Sequence, residues 1–397
     1  MKIFVAGAPL RMNLGGPSIF HGIVAVFRRV FPGCEIAYHA PTPAGEADPD
    51  HPDIRICGGP VDAKRILIEA WRRKWLGAGG AVGSPERLLV DEIRTADLFV
   101  DAWGIDFADR LSKMNIKSAL LGKPLIRAAA MLEVPAVHYT ASYGPIGGRW
   151  MRMAVRQVLG HRCSLVYCRE EQSRKNLLAC GLRDRTLVVA PDTGFLMPSR
   201  SVVLEGVDPG RPCLGVSVSH QIVRQWKSPV PYLDLIARFC DRAIQQWKAQ
   251  ILLIPNELAD GQYDDRAVAR DVLERVHNKT AIHLFPAERH SGPEQKGAIA
   301  RCDLFVASRY HGIVASLSQA VPTVVIGWHH KYAELLEHFG QQDVGLSSEN
   351  CTPDALWSCC DRTWGRRPEI HEAISARLPE VERRIYQAGE RLQDLVR

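Results

Sequence analysis

Two positions in this 397-residue sequence place an arginine where a buried strand should give way to a helix. In the first, the apolar run SLVYC (164–168) leads into Arg169 and Glu170 and then the helical stretch QSRKNLLACG (172–181). In the second, DLFVAS (303–308) leads into Arg309, Tyr310, His311 and Gly312 and then IVASLSQA (313–320). The carboxyl ends of strands in an open α/β sheet form its ligand-facing rim, and a helix start adds free N–H groups and a positive dipole end. An arginine there offers a planar fork matched to carboxylate or phosphate. One from each half of the chain reads as an anion clamp. The competing reading pairs each with a nearby acid such as Glu170 or Asp303.

His311 begins the second helix, and its charge change near neutral pH suits a general acid. Gly312 beside it allows close approach of a ligand to the backbone. After the strand VPTVVIGW (321–328) comes Lys331 in HHKYAELLEHFG (329–340), again at a strand-to-helix junction and so on the same rim. A structural histidine and a solvated lysine are the ordinary alternatives. The loop APLRMNLGGPSIFHG (8–22) contains Asn13, Gly15, Gly16 and Ser18; it resembles a Gly-rich turn into a helix but is not GxGxxG. His138 ends VPAVHY (134–139), and the following TASYGPIGG (140–148) is either a lining for a sugar pocket or a turn.

The elements that must hold these residues are legible as two series of short β-branched runs separated by helical stretches. The first is KIFVAG (2–7), DLFVDA (97–102), VPAVHY (134–139), SLVYC (164–168) and TLVVA (186–190); the second is CLGVSV (213–218), QILLIP (250–255), AIHLF (281–285), DLFVAS (303–308) and TVVIG (323–327). Runs without polar alternation indicate parallel strands buried on both faces, the pattern of doubly wound α/β sheets. The break falls in a Pro-, Gly- and Ser-rich stretch. The expectation is an α/β protein: a Rossmann-like domain over 1–195, a linker over 196–212, a second Rossmann-like domain over 213–367 and a terminal helix over 368–397, with Pro379 permitting a kink. The two domains are expected to face a cleft. The tetrapeptide DLFV occurs at 97–100 and at 303–306, an internal echo.

An apolar share of 46% with 24% charged residues excludes disordered and fibrous classes. A net charge of +6 fits an anionic small molecule or membrane surface better than a nucleic-acid footprint. Eleven cysteines, an odd number without a CxxC pair, read as buried hydrophobes in a reducing cytoplasm rather than a disulfide or zinc framework. MKIFVAGAP reads as a first strand and not a signal segment. The uncharged stretch 310–330 reads as a buried helix followed by a buried strand, not a membrane span.

With these residues in hand, the chain resembles the polysaccharide pyruvyl transferase family. SRYHGIVASLSQAVPTVVIGWHHKYAELLEHFG (308–340) is similar to its signature SRxHGxxxAxxxxxP, followed by a hydrophobic strand and a lysine. CREEQSRKNLLACGL (168–182) resembles its Arg-acid block, PDTGF (191–195) its Pro-Asp-x-x-Phe element, and Asn13 to Gly15 its opening Asn-x-Gly loop. Two departures lie in the N-terminal half: Gly16 and Pro17 stand where the family has an acid, and DAWGIDFAD (101–109) has a single glycine.

The resemblance implies a fold similar to the GT-B glycosyltransferases and transfer of a pyruvyl ketal from phosphoenolpyruvate (PEP) to two hydroxyls of a sugar, an oligosaccharide or a lipid-linked saccharide, without metal or redox cofactor. It implies His311, Arg169 and Lys331 as catalytic residues, with Arg309, Ser308, Gly312, Asn13, Gly15 and His138 binding substrate. The rivals are a GT-B glycosyltransferase using a nucleotide-sugar, for which no ribose-binding acid stands out near 303–345, and a non-catalytic binding protein on the same scaffold. Two cationic, Trp-containing segments, AKRILIEAWRRKWLG (63–77) and GRWMRMAVRQVLGHR (148–162), suggest peripheral contact with the inner face of a membrane. In the first, Ile66, Ala70 and Trp71 are expected on one face; in the second, Trp150, Met153 and Val158. The alternative is that both apolar faces pack on the sheets.

Overall fold

Strands that are apolar throughout must be covered on both faces, and parallel strands need helical crossovers. A computed structural model, which describes residues 1–41, 48–77, 83–109, 116–259, 263–327 and 330–396, meets that requirement twice. Its contacts group the chain into a first unit, Met1–Pro9, Ile23–Thr193 and Arg383–Arg397, and a second, Leu10–Gly22 and Gly194–Glu382.

The first unit carries β1 (Lys2–Gly7), β2 (Glu35–Ala40), β3 (Arg55–Gly58), β4 (Leu98–Ala102), β5 (Ile105–Asp106), β6 (Ala136–Tyr143), β7 (Leu165–Cys168) and β8 (Leu187–Val189). They pair in the order β3-β2-β1-β4-β6-β7-β8, with β5 beside the end of β6. All these pairings are parallel. The crossovers are α1 (Gly15–Val30), of which Gly15–Gly22 groups with the second unit, α2 (Ala63–Trp75), α3 (Pro85–Thr95), α4 (Ile116–Leu121), α5 (Pro124–Met131), α6 (Arg149–Val155) and α7 (Glu171–Ala179). Ser84 caps α3 by accepting from the Arg87 N–H, with Pro85 at its first position.

The second unit carries β9 (Cys213–Ser217), β10 (Gln250–Leu253), β11 (Leu258–Ala259), β12 (Tyr263–Asp264), β13 (Ile282–Leu284), β14 (Leu304–Ala307), β15 (Thr323–Gly327) and β16 (Gly345–Ser347). The main sheet runs β13-β10-β9-β14-β15-β16, all parallel, and β11 and β12 form a small antiparallel pair. Its helices are α8 (His220–Gln225), α9 (Tyr232–Trp247), α10 (Asp265–Arg275), α11 (Gly292–Ala300), α12 (Tyr310–Leu317), α13 (His330–His338), α14 (Pro353–Gly365) and α15 (Arg367–Glu390). The Ser291–Glu294 capping box starts α11. Pro379 lies inside α15, which continues through it.

All ten runs read from the sequence are strands. β2, β3, β5, β11, β12 and β16 are additions, short or interrupted by polar residues such as His39. In both sheets the strand order reverses beside the unit's first strand, between β1 and β4 and between β9 and β14. The DLFV echo marks these two places. Asp97 takes the Lys2 N–H (2.7 Å) and Asp303 the Cys213 N–H (2.8 Å), so each aspartate clasps the start of the neighbouring first strand. Residues 196–212, read as a linker, group with the second unit: the Arg200 N–H donates to Pro293 O (2.9 Å), and the buried Lys296 Nζ to Phe195 O (3.3 Å) and Met197 O.

Candidate active site

In an open α/β sheet, ligands bind beyond the carboxyl ends of the strands at the point where the order reverses. In the second unit that point is the β9/β14 junction, where Ser308, Arg309, His311 and Gly312 stand. Ser308 is buried; its Oγ lies 3.0 Å from Tyr232 OH and its N–H donates to Ser217 O (3.0 Å). Arg309 caps α12 in extended backbone and grips Asp265, the first residue of α10, with both prongs: Nε to Oδ2 at 2.8 Å and Nη2 to Oδ1 at 2.6 Å. Asp265 is wholly buried and also accepts the N–H groups of His220 (2.9 Å) and Glu257 (3.1 Å). The acid that pairs Arg309 is therefore 44 residues away in sequence, not the neighbouring Asp303.

Gly312 leaves room for protein: a Cβ there would lie 2.7 Å from Asn256 Nδ2, which donates to Ser217 Oγ at 2.9 Å. The loop before α1 closes over the same rim. Leu14 N–H donates to Asn256 O (3.0 Å), Leu258 N–H to Met12 O (2.7 Å), and Asn13 bridges Glu257. Asn13 Oδ1 accepts the Gly16 N–H at 2.8 Å, and its side chain also hydrogen-bonds the Glu257 carboxyl. A Cβ on Gly15 would lie 2.7 Å from Cε1 and Nδ1 of His311 and 3.1 Å from Asn13 Oδ1. Only glycine lets this loop lie against the imidazole.

Glu257 is the acid that motif reading missed. Burial raises its pKa to about 7; Arg309 pulls it down, Asp265 pushes it up, the Asn13 bond lowers it and Asp264 raises it. No local pattern marks it, because its shift depends on groups that chain topology brings together. Lys331 lies in the first turn of α13, and its side chain is outside the described residues. Behind it Tyr332 stacks on Tyr310, with centroids 6.1 Å apart.

The first unit presents a second polar cluster. Arg169 follows β7, but its side chain is fully buried: Nη1 bonds Asp192 Oδ2 at 2.5 Å, Nε and Nη2 bond Ser142 Oγ at 3.2 and 3.0 Å, and Nη2 bonds Gly104 O. The expectation of a rim-facing anion ligand gives way here to a guanidinium already spent on Asp192, a residue of the PDTGF element. His138 is also fully buried, with Nε2 3.1 Å from Asp106 Oδ2 and Nδ1 2.8 Å from Tyr143 OH. Lys123 Nζ bonds Asp101 (3.1 Å) and Asp106. Although burial would raise it, Lys123 and His138 hold the Asp106 carboxyl well below the carboxylate range, and the two aspartates raise Lys123 against its own burial. Asp101, Asp106 and His138 could together hold a metal ion, but the Lys123 ammonium is the cation that both carboxylates bind. β6 changes register between His138 and Ala141, with Thr140 at φ 46°, and this irregularity aims His138 and Ser142. Asp106 and Lys123 face a cavity of about 710 Å³ that Asp62, Lys64, Lys117 and Phe107 also line.

A family model for polysaccharide pyruvyl transferase matches residues 13–330. The chain belongs to that family. Solved structures with the same fold include the Neisseria meningitidis UDP-GlcNAc 2-epimerase bound to UDP-GlcNAc (9% identity, TM-score 0.58, 100% of this chain and 99% of that one). Others are the S. aureus MnaA with UDP (12%, 0.60, 99% and 94%) and the UDP-GlcNAc 2-epimerase of Methanocaldococcus jannaschii (11%, 0.55, 91% and 92%). At these identities the likeness shows the fold alone, two Rossmann-like units of the GT-B class. The family match makes this chain a member of a transferase family of polysaccharide biosynthesis. The signature Ser-Arg-x-His-Gly of this pyruvyl transferase relative sits at the β14–α12 junction, and its Asn-x-Gly loop lies against the same histidine.

Proposed function

We propose that this chain transfers the pyruvyl group of PEP to two hydroxyls of a sugar as a ketal, with the rim of the second unit as donor site. What carries the reading is the juxtaposition of His311, Asn13, Glu257 and Arg309 at the β9/β14 reversal. PEP brings a carboxylate and a phosphate; Arg309 and Lys331 supply the cations, with Ser308 and Gly312 shaping the strand end. Asn13 and Gly15 hold the loop against His311. The cavity that Asp106 and Lys123 face serves the sugar acceptor, which is an oligosaccharide or lipid-linked saccharide, and the buried His138 holds Asp106 in place behind it. Arg169 acts as a positioning residue for the loop at Gly104.

The proton inventory closes with two groups. His311 as imidazolium protonates the methylene carbon, the first sugar hydroxyl attacks C2, and the Glu257 carboxylate takes that hydroxyl's proton. The phosphate then leaves with the proton from Glu257. The second hydroxyl attacks C2, and its proton goes to the now neutral His311. Both groups return to their starting states, and no metal or redox cofactor enters the sequence.

The test is a donor screen: PEP against nucleotide-sugars by thermal shift, followed by phosphate release with sugar acceptors. PEP should stabilise the protein and release phosphate only with acceptor present. Stabilisation by a nucleotide-sugar and none by PEP would transfer the assignment to a glycosyltransferase. His311→Gln should keep PEP binding and lose roughly 10²–10⁴-fold in turnover.

A further inference from the structure

Helix α2 has two apolar faces, and only one is covered. Ile66 and Ala70 point inward with Glu69, against α3 and α5. Ile68, Trp71 and Trp75 point outward, 50%, 49% and 66% exposed, and Leu76 follows at 61%. Positions 68, 71 and 75 are spaced by three and four residues, so they form a single stripe on the solvent side. The expectation that Trp71 shares a face with Ile66 and Ala70 is thus corrected: the helix splits them. A globular protein rarely leaves two tryptophans and an isoleucine contiguous in water without a use for them.

Charge flanks the stripe on the same helix. Lys64, Arg65 and Arg72 are exposed, whereas Arg73 turns to Asp91 (2.6 Å) and Lys74 to Glu133 (2.8 Å). The one acid within α2, Glu69, is buried. Tryptophans at the edge of an apolar stripe with arginine and lysine beside it match the boundary between headgroups and acyl chains of an anionic bilayer. The short α4, which lines one cavity with the start of α2, adds exposed Ile116 and Leu120 one turn apart. The second Trp-containing segment does not share this character: Trp150 and Met153 pack against the core, and Val158 is buried in it.

We infer that the outward face of α2 docks on an anionic membrane surface, with Ile68, Trp71 and Trp75 entering the headgroup region and Lys64, Arg65 and Arg72 meeting the lipid charges. The contact is peripheral, since no helix among the described residues is long and apolar enough to cross a membrane. This inference is independent of which donor the chain uses.

Co-sedimentation of the full chain with phosphatidylcholine vesicles, with and without phosphatidylglycerol and at low and high salt, tests it. Binding should be at least about ten-fold stronger to the anionic vesicles and weaken with salt. Ile68→Ser/Trp71→Ser/Trp75→Ser should lose about ten-fold or more of that binding, with an unchanged circular dichroism melt. Lys64→Glu/Arg65→Glu/Arg72→Glu should abolish the preference for anionic vesicles, and this second variant decides the matter if the serine variant misfolds. Failure of the wild type to sediment with anionic vesicles would overturn the inference, as would undiminished binding by the serine variant. It would also fall if sedimentation equilibrium revealed a dimer that the serine variant dissolves, because the stripe would then be a face between two copies.

Discussion

Glu257 and Arg309 make sharply different demands on experiment, although they share a site. Glu257 has a pKa of about 7 against an ordinary 4.5, mainly because it is buried. The unfolded chain releases this proton above 4.5 while the native chain keeps it to about 7. Stability contributed by the protonated carboxyl is therefore full below 4.5, falls as pH rises between those values, and is level above them. The loss is at most about 3 kcal/mol. Denaturant unfolding at pH 5 and pH 8 should show this decline in the wild type and a smaller one in Glu257→Gln. If Glu257 also accepts the sugar proton, turnover falls below about pH 7, and Glu257→Gln removes that limb from the pH–rate profile while leaving PEP affinity intact. Arg309, by contrast, is held by Asp265. Removing Asp265 as Asp265→Ala strands a buried guanidinium and should cost about 3–5 kcal/mol in chemical denaturation. Gly15→Ala should leave stability nearly unchanged yet reduce turnover roughly 10²-fold, because the added methyl displaces the His311 ring; an unaltered kcat would remove that loop from the site.

At the scale of elements, the repeated Asp-Leu-Phe-Val shows one construction used twice. Each aspartate receives the first N–H of the neighbouring strand and, through its own N–H, returns a bond to that residue's carbonyl at 2.8 Å. The contact at Cys213 is partly buried and the one at Lys2 is exposed. Asp303→Ala should therefore cost about 1–2 kcal/mol and Asp97→Ala less, measured by urea unfolding. Helix α2 shows why amphipathic periodicity alone misassigns a face. The heptad-like spacing of Ile66 and Ala70 and that of Ile68, Trp71 and Trp75 are both present, and packing on α3 and α5 chose the first.

For the whole molecule, burial decides chemistry far from any site. Nine of the eleven cysteines are buried and two, Cys34 and Cys57, are partly exposed. Burial pushes the thiols of Cys163, Cys168 and Cys240 far up, so they are protonated and shielded. A thiol reagent at neutral pH should label Cys34 and Cys57 in the native protein and the other nine only after unfolding. The first unit is also completed by the end of the chain: Tyr167 OH donates to Ala388 O (2.9 Å), Gln393 Nε2 to Val30 O (3.0 Å), and Gly389 lies against Val26. Truncation after Glu382 should lower the melting temperature of the first unit by removing these partners, read by hydrogen exchange at β6 and β7.

The amino-acid sequence alone determined the strands that are apolar throughout, their alternation with helices, and hence two parallel sheets. It also located Arg169, Arg309 and His311 at strand ends, because these features depend on neighbours within a few residues and on a burial requirement that composition expresses directly. Tertiary structure alone decided how those residues are used. Arg309 found Asp265 and Arg169 found Asp192, rather than the acids beside them, because strand order and not chain order sets which carboxylates reach a buried guanidinium. Glu257 has no local mark, since its raised pKa comes from burial and from Asp265 against the opposing pull of Arg309 and Asn13, three residues from separate parts of the chain. The Gly15 loop and His311 are almost three hundred residues apart in sequence, and their contact exists only because residues 10–22 fold with the second unit. Local periodicity is encoded in short-range sterics and burial; the choice of electrostatic partner is a long-range consequence of topology.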